Sequence, residues 1–146
     1  MTTTASEQRS AEAGTETGVH PNEQFVRDGY AAFNRKDMDA VMGIFADNIR
    51  FVVPGRSIQS GTFSGKSEAG RYFQIVGRHT SGTHRLEIQD VVANDDRVLV
   101  MARALGERGA ELFDMTVVHI WRVEGGKLTE LLLFPADQYA FDEFWS

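Results

Sequence analysis

One histidine, His119, stands in the middle of an alternating segment. Imidazole is the side chain best suited to moving protons near neutral pH. Residues 113–123 alternate with period two, the pattern of a half-buried strand. Phe113, Met115, Val117, His119, Trp121 and Val123 fall on one face; Asp114, Thr116, Val118, Ile120 and Arg122 fall on the other. Two readings of His119 stand. It is either a core histidine bonded to Tyr30 or a backbone group, or the acid/base group of a pocket. In the second case burial lowers its pKa from the ordinary ~6.5 toward the neutral, base-competent form. Tyr30, on a helical stripe, is either a donor to a developing oxyanion or a helix residue with its hydroxyl at the rim. Asp137, after Pro135 and Ala136, is either a second acid/base at the pocket mouth or the cap of the final aromatic segment, residues 139–145. It lies about 20 Å beyond Leu131 at ~3.3 Å per residue, so it reaches His119 only if the chain bends at Pro135.

Phe51, Val53, Met115, Trp121, Leu131 and Leu133 are expected to line the pocket and to favour an apolar or polycyclic ligand, although such residues also build any core. Arg56, behind Pro54 and Gly55, either meets an anionic group or is a solvated turn residue. His20, His79 and His84 read as tail, helix-end and strand-surface residues. No two histidines and a carboxylate share metal-ligand spacing, so no metal and no cofactor is expected.

The elements that must position these groups follow from capping and periodicity. Residues 1–20 are rich in Thr, Ala, Glu and Gly, nearly free of large apolar side chains, and are expected to be a flexible tail. Residues 21–146 form the domain. Asn22 is placed to cap a helix with Phe25, Val26, Tyr30 and Phe33 on one stripe; Asp37 caps a second with Val41, Ile44 and Phe45 inward; Ser64 caps a third with Tyr72, Phe73 and Val76. A short strand covers 49–53. Longer strand patterns cover 83–93, 97–106, 111–123 and 127–134. Helices followed by a long antiparallel sheet read as α+β.

A two-residue turn at Arg108 and Gly109 would set Arg103 opposite Asp114 and His119 opposite Val98. A three-residue loop of Glu124, Gly125 and Gly126 would set His119 opposite Leu131; a two-residue glycine turn would set it opposite Leu132. The first is preferred, because it puts Thr129, Leu131 and Leu133 on the histidine face.

The chain has 146 residues, a net charge of −6 and a pI near 5.2, with no Lys/Arg run and no cysteine. That composition lacks the footprint of a nucleic-acid binder and excludes disulfides, thiolate metal sites and cysteine nucleophiles. With no apolar stretch long enough to span a bilayer, the expected location is cytoplasmic, away from membranes.

Several segments together resemble a known family: residues 30–47 (YAAFNRKDMDAVMGIFAD), 51–56 (FVVPGR), 61–65 (GTFSG), 117–127 (VVHIWRVEGGK) and 134–145 (FPADQYAFDEFW). They look like the SnoaL-like polyketide-cyclase branch of the nuclear transport factor 2-like superfamily. The resemblance implies a cone-shaped, curved antiparallel sheet wrapped by three helices around a pocket, with a homodimer formed through the outer sheet face. Leu99, Met101, Val118 and Ile120, apolar on the face opposite His119, agree with such an interface.

The superfamily includes ketosteroid isomerase, whose oxyanion-hole tyrosine falls on Tyr30, whose protonated aspartate falls on His119, and whose general-base aspartate falls on Val53. Limonene-epoxide-hydrolase relatives carry an Arg-x-Asp arrangement that this chain lacks. The resemblance therefore implies a cofactor-free enzyme doing acid/base chemistry (cyclisation, isomerisation or related proton transfer) on an apolar polyketide- or terpenoid-like carbonyl compound. In that reading His119 moves the proton and Tyr30 stabilises the enolate. The alternative, raised by the missing carboxylate at Val53, is a non-catalytic module that binds a hydrophobic small molecule.

Overall fold

The computed structural model describes residues 18–146. The expected tail lies outside the described residues except for Gly18, Val19 and His20. His20 is a helix cap: its Nδ1 accepts from the Asn22 amide at 3.0 Å, and its Nε2 meets Asp95 at 2.9 Å. The cap of helix α1 (Pro21–Asn34) is therefore His20, two residues before the expected Asn22, with proline at N1, where its missing N–H costs nothing. Asn22 instead donates to the carbonyls of Asn94 and Asp95 at 3.0 and 3.1 Å. Val26 and Tyr30, four residues apart, form the buried stripe.

Helix α2 (Met38–Gly43) is capped as expected by Asp37, which accepts from the Ala40 amide at 3.2 Å. It ends before Phe45, which opens strand β1 (Phe45–Val53) and not the second helix. After β2 (Gly61–Ser64), helix α3 (Lys66–His79) begins from Gly65 rather than Ser64. Gly65 has φ 89°, a conformation that a side chain at this position would strain. The Ser64 amide is held by the Glu68 carboxylate at 2.6 Å. Strands β3 (Arg85–Ala93), β4 (Arg97–Arg108), β5 (Glu111–Glu124) and β6 (Lys127–Pro135) follow, then helix α4 (Gln138–Phe144).

The fold is α+β with one six-stranded sheet in the order β2-β1-β6-β5-β4-β3. It is mixed: β1 runs parallel to β6, joining the N-terminal half to the last strand, while every other pair is antiparallel. Both expected registers move. The β4–β5 turn is Gly109 and Ala110, so Arg108 faces Glu111 and His119 faces Val100. The shift is by two, which preserves the face of every side chain. Arg103 is opposite Thr116, yet its guanidinium reaches diagonally to Asp114 at 2.6 and 2.5 Å.

The β5–β6 turn is the two-residue Gly125 and Gly126, both with positive φ (57° and 74°), which suits a tight hairpin. A bulge at Thr129 then adds a residue, so Trp121 faces Leu131 and His119 faces Leu133. Leu131 and Leu133 keep their place on the histidine face. Further irregularities interrupt β1–β6 and β3–β4, and bulges of this kind bend a sheet. Helix α1 packs on β3 and β4, α3 on β1 and β2, so the concave face is covered from both ends. Residues 113, 117, 119, 121 and 123 are buried there, while residues 114 and 116 are exposed on the other side.

Candidate functional site: an apolar cavity with a hydrogen-bonded histidine

Between the concave face and the helices lies an inner cavity of about 70 Å³. Its wall is mostly aliphatic and aromatic: Val26 and Phe33 from α1, Phe73 from α3, and Leu131 and Leu133 from β6. Next to it is a larger hollow of about 370 Å³ between the α1–α2 corner and α3. Phe33, Phe73, Val76 and His84 border both, so these four side chains form the partition between the outer hollow and the inner cavity.

The period-two pattern of β5 and the stripe of α1 bring His119, Tyr30 and Trp121 together on the inner wall. All three are buried, at 5%, 6% and 7% exposure. The Trp121 indole N–H donates to the Tyr30 oxygen at 2.9 Å. The Tyr30 hydroxyl lies 2.5 Å from His119 Nδ1. Burial, with a smaller contribution from His84, pushes the His119 pKa down to about 3, so the imidazole is neutral. Burial also raises the Tyr30 hydroxyl well above the usual phenol range, opposed by the Trp121 hydrogen bond, so it keeps its proton.

One arrangement of protons satisfies every member of this chain. Trp121 donates to Tyr30, Tyr30 donates to His119 Nδ1, and the imidazole proton sits on Nε2. The opposite tautomer would leave the Tyr30 proton without an acceptor among the described residues. The inner cavity therefore receives an N–H donor from His119 and no free hydroxyl from Tyr30. Tyr30 orients the ring; its single proton is already engaged.

A second polar pair faces the cavity. Tyr72, whose pKa burial raises, donates to the Gln59 side-chain oxygen at 2.5 Å. Gln59 is 2% exposed and lies in the loop after β1. The third polar group is His84. Its Nδ1 lies 2.9 Å from the Leu105 carbonyl, which only accepts, so Nδ1 carries the proton. Burial lowers the His84 pKa to about 4, partly offset by that bond and reinforced by Lys36.

Of the other expected site residues, Trp121, Leu131 and Leu133 line the cavity. Phe51 is fully buried one layer behind, edge-on to Phe45, Tyr72 and Phe73. Val53, buried at the far end of β1 opposite Gly61, and Met115, half-buried on β5, pack in the core away from the lining. Asp137 is not brought to His119. It is exposed and caps α4, accepting from the Ala140 amide at 3.1 Å, because the chain turns into a helix immediately after Pro135. Arg56 is exposed in the loop after β1.

His84 is not a strand-surface residue. The end of α1 and the corner behind it cover it: Lys36 Nζ donates to the His84 carbonyl at 2.9 Å, and Asn34 bonds both the amide and the carbonyl of Leu86. One sequence signal pointed there. Gly106 sits inside β4, where an added Cβ would crowd Thr80 Cγ2 at 3.2 Å and touch the Cα and Nδ1 of His84 at 3.6 Å, and a glycine within a strand can mark a segment packed over it. Among the described residues no helix is long and apolar enough to cross a membrane.

Comparison with known proteins agrees with this architecture. An uncharacterised protein of Mycobacterium tuberculosis (strain H37Rv), Rv0034, is 30% identical over 122 residues, covering 83% of this chain and 93% of that protein. Bal32a, from a soil-derived mobile gene cassette, superposes with a TM-score of 0.82 at 33% identity, covering 86% of this chain and 96% of Bal32a. An NTF2-like protein from Burkholderia pseudomallei K96243 superposes with a TM-score of 0.79 at 23% identity, covering 88% and 99%. Residues 26–131, which run from the first cavity-lining residue of α1 to Leu131 on β6, match the SnoaL-like domain. The chain belongs to the SnoaL-like domain family, in the NTF2-like fold.

Proposed function

We propose that the chain is a cofactor-free enzyme that binds an apolar polyketide- or terpenoid-like carbonyl compound and catalyses a proton-transfer step: cyclisation, isomerisation or a related reaction. The observation that carries this reading is the Trp121–Tyr30–His119 chain. It fixes one imidazole tautomer and aims an N–H into a cavity whose other walls are largely apolar. A donor held there acts on a carbonyl oxygen as negative charge develops on it, in surroundings where a hydrogen bond is worth more than in water. His119 thus takes the oxyanion-stabilising part and Tyr30 becomes its positioning residue. TerC, a protein of the same fold at 22% identity, was co-crystallised with polyporic acid, which is in keeping with an aromatic or polycyclic guest for such a cavity.

The outer sheet face fits a homodimer. Leu99 and Met101 on β4 are 38% and 40% exposed, Phe134 on β6 is 49% exposed, and Val118 and Ile120 lie between them. A contiguous apolar surface of this kind is uncommon on a monomer.

The test is mass spectrometry of small molecules that copurify with the protein, followed by incubation of the released compound with parent and His119→Gln protein. Conversion by the parent with a loss of about 10²–10³-fold in the variant, the effect of weakening one oxyanion donor, is the expected result. Tight binding with no conversion would instead make the domain a hydrophobic small-molecule binder.

A further inference from the structure

His84 complements His119. Both imidazoles line the inner cavity, and each commits its Nδ1 to a fixed partner, but with opposite polarity. His119 Nδ1 accepts from Tyr30, so its Nε2 is a donor. His84 Nδ1 donates to the Leu105 carbonyl, so its Nε2 carries a lone pair. No hydrogen bond to that Nε2 is made among the described residues. The ring is wedged edge-on between Phe33 and Trp145, with centroids at 5.9 and 5.3 Å, so it has little freedom to turn. It also borders the outer hollow, where a ligand coming from the α1–α3 side would first meet the inner cavity.

We infer that His84 Nε2 is the general base of this site, taking a proton from carbon while His119 Nε2–H holds the oxygen. The inference rests on the acid/base reading above and supplies the base that Val53 cannot. The step balances within the two rings. The α C–H bond breaks and its proton forms an N–H bond on His84. The bonding pair becomes the C=C bond of an enolate, and the carbonyl π pair moves onto oxygen, where His119 donates a hydrogen bond. Return of the proton from His84 to a conjugated carbon completes isomerisation; replacement of that N–H by a solvent deuteron before return to the same carbon completes exchange, and either route restores both histidines. No oxidant, metal or second substrate is consumed.

The charged environment favours a neutral resting base. Lys36 approaches from the α1–α2 corner, with its Nζ on the His84 carbonyl and 5.4 Å above the Phe33 ring. His119, on β5, lines the same cavity, and His79 on α3 stands beyond Trp145. No carboxylate is among the side chains that line either hollow. Burial and Lys36 hold the His84 pKa near 4, so its lone pair is free at neutral pH.

The test uses 2-indanone, a small apolar ketone with acidic α-hydrogens, in D2O. Loss of the α-proton signal is followed by NMR, and binding by quenching of tryptophan fluorescence. The parent protein should accelerate exchange over buffer, with a rate that rises as pH climbs through about 4 and is level across neutral pH. His84→Asn places an amide near the old Nδ1, where it can still donate to Leu105, and lacks the base; it should bind the probe and lose 10²–10⁴-fold in exchange rate.

Exchange by His84→Asn at the parent rate, with His119→Gln impaired, would overturn the assignment of His84 and leave the acid/base reading standing. No acceleration by the parent would overturn both. The tautomer provides a check on the unmodified protein: 15N spectra at neutral pH should show His84 protonated on Nδ1 alone. A proton on its Nε2 would refute the inference irrespective of any variant.

Discussion

His79 and His119 are the same residue type at nearly the same burial, 6% and 5% exposed, yet they sit in regions built for different ends. His79 closes α3 beneath the aromatic cluster of Phe144 and Trp145. Its Nε2 meets the Phe144 carbonyl at 2.5 Å, and its Nδ1 meets the Arg108 guanidinium at 2.8 Å. Both ring nitrogens are spent on protein, and the ring ties α3, α4 and β4 together. His119 spends one nitrogen on Tyr30 and turns the other to the cavity. Burial alone therefore does not separate the two; what differs is a ring nitrogen left over on a cavity wall, the feature on which the proposed chemistry of His119 rests. By the same measure His84 belongs with His119.

The comparison breaks most visibly in rate. His119→Gln should lower turnover of the natural compound, or of 2-indanone exchange, by about 10²–10³-fold with near-parental affinity. A variant that reacts at the parent rate would return His119 to the structural class. His79→Ala should do the reverse. It leaves the Arg108 and Phe144 groups without their partner and opens a void, so chemical unfolding should show a loss of about 2–4 kcal/mol. The protein that remains folded should react normally.

Tyr30→Phe is intermediate. Trp121 and His119 each lose a partner, a cost of about 1–3 kcal/mol, and His119 is free to change tautomer. kcat should fall more than KM rises.

Stability against pH sharpens the contrast further. The folded pKa values of His119 and His84 are held near 3 and 4, against ~6.5 when unfolded. Below ~6.5 the unfolded chain takes up protons that the folded chain refuses. Stability is therefore fully present above ~6.5 and is lost as pH falls toward 4 and then 3, by up to about 1.4 kcal/mol per pH unit for each group. Urea titrations should show this slope in the parent, and about half of it in His84→Asn. The smallest effect on chemistry is expected on the outer face: Phe134→Glu should shift light-scattering mass from dimer to monomer and leave the cavity reaction nearly unchanged.

What the sequence reveals of this site follows from distance along the chain. His119 and Trp121 lie within one strand, where alternation names their face, and Tyr30 lies on a helical stripe that must pack on that face. Their meeting needs only those two periodicities. The registers were less legible, because a turn one residue further on and a bulge at Thr129 are local choices that the alternation tolerates. The two-step shift of β4 against β5 left every face intact for that reason. Of the two readings of Asp137 the cap holds, because the chain leaves the sheet at Pro135 and enters α4. His84 was hidden because its cover comes from Asn34 and Lys36 at the end of α1. No periodic pattern around residue 84 reports a helix end that arrives from so far away in sequence.

The parallel pairing of β1 with β6 also dictates an order of events. The hairpins β3–β4, β4–β5 and β5–β6 join neighbours in sequence and close early, whereas Phe51 can take its place beside Leu131 only when nearly the whole chain is present. On the ribosome, β1 must wait for its β6 partner and Phe45 and Phe51 for Trp121 of β5, whereas Phe63 already meets Tyr72 of α3. This makes the N-terminal half the part of the nascent protein most in need of shelter. The cavity, whose walls come from both halves, is then the last thing to form.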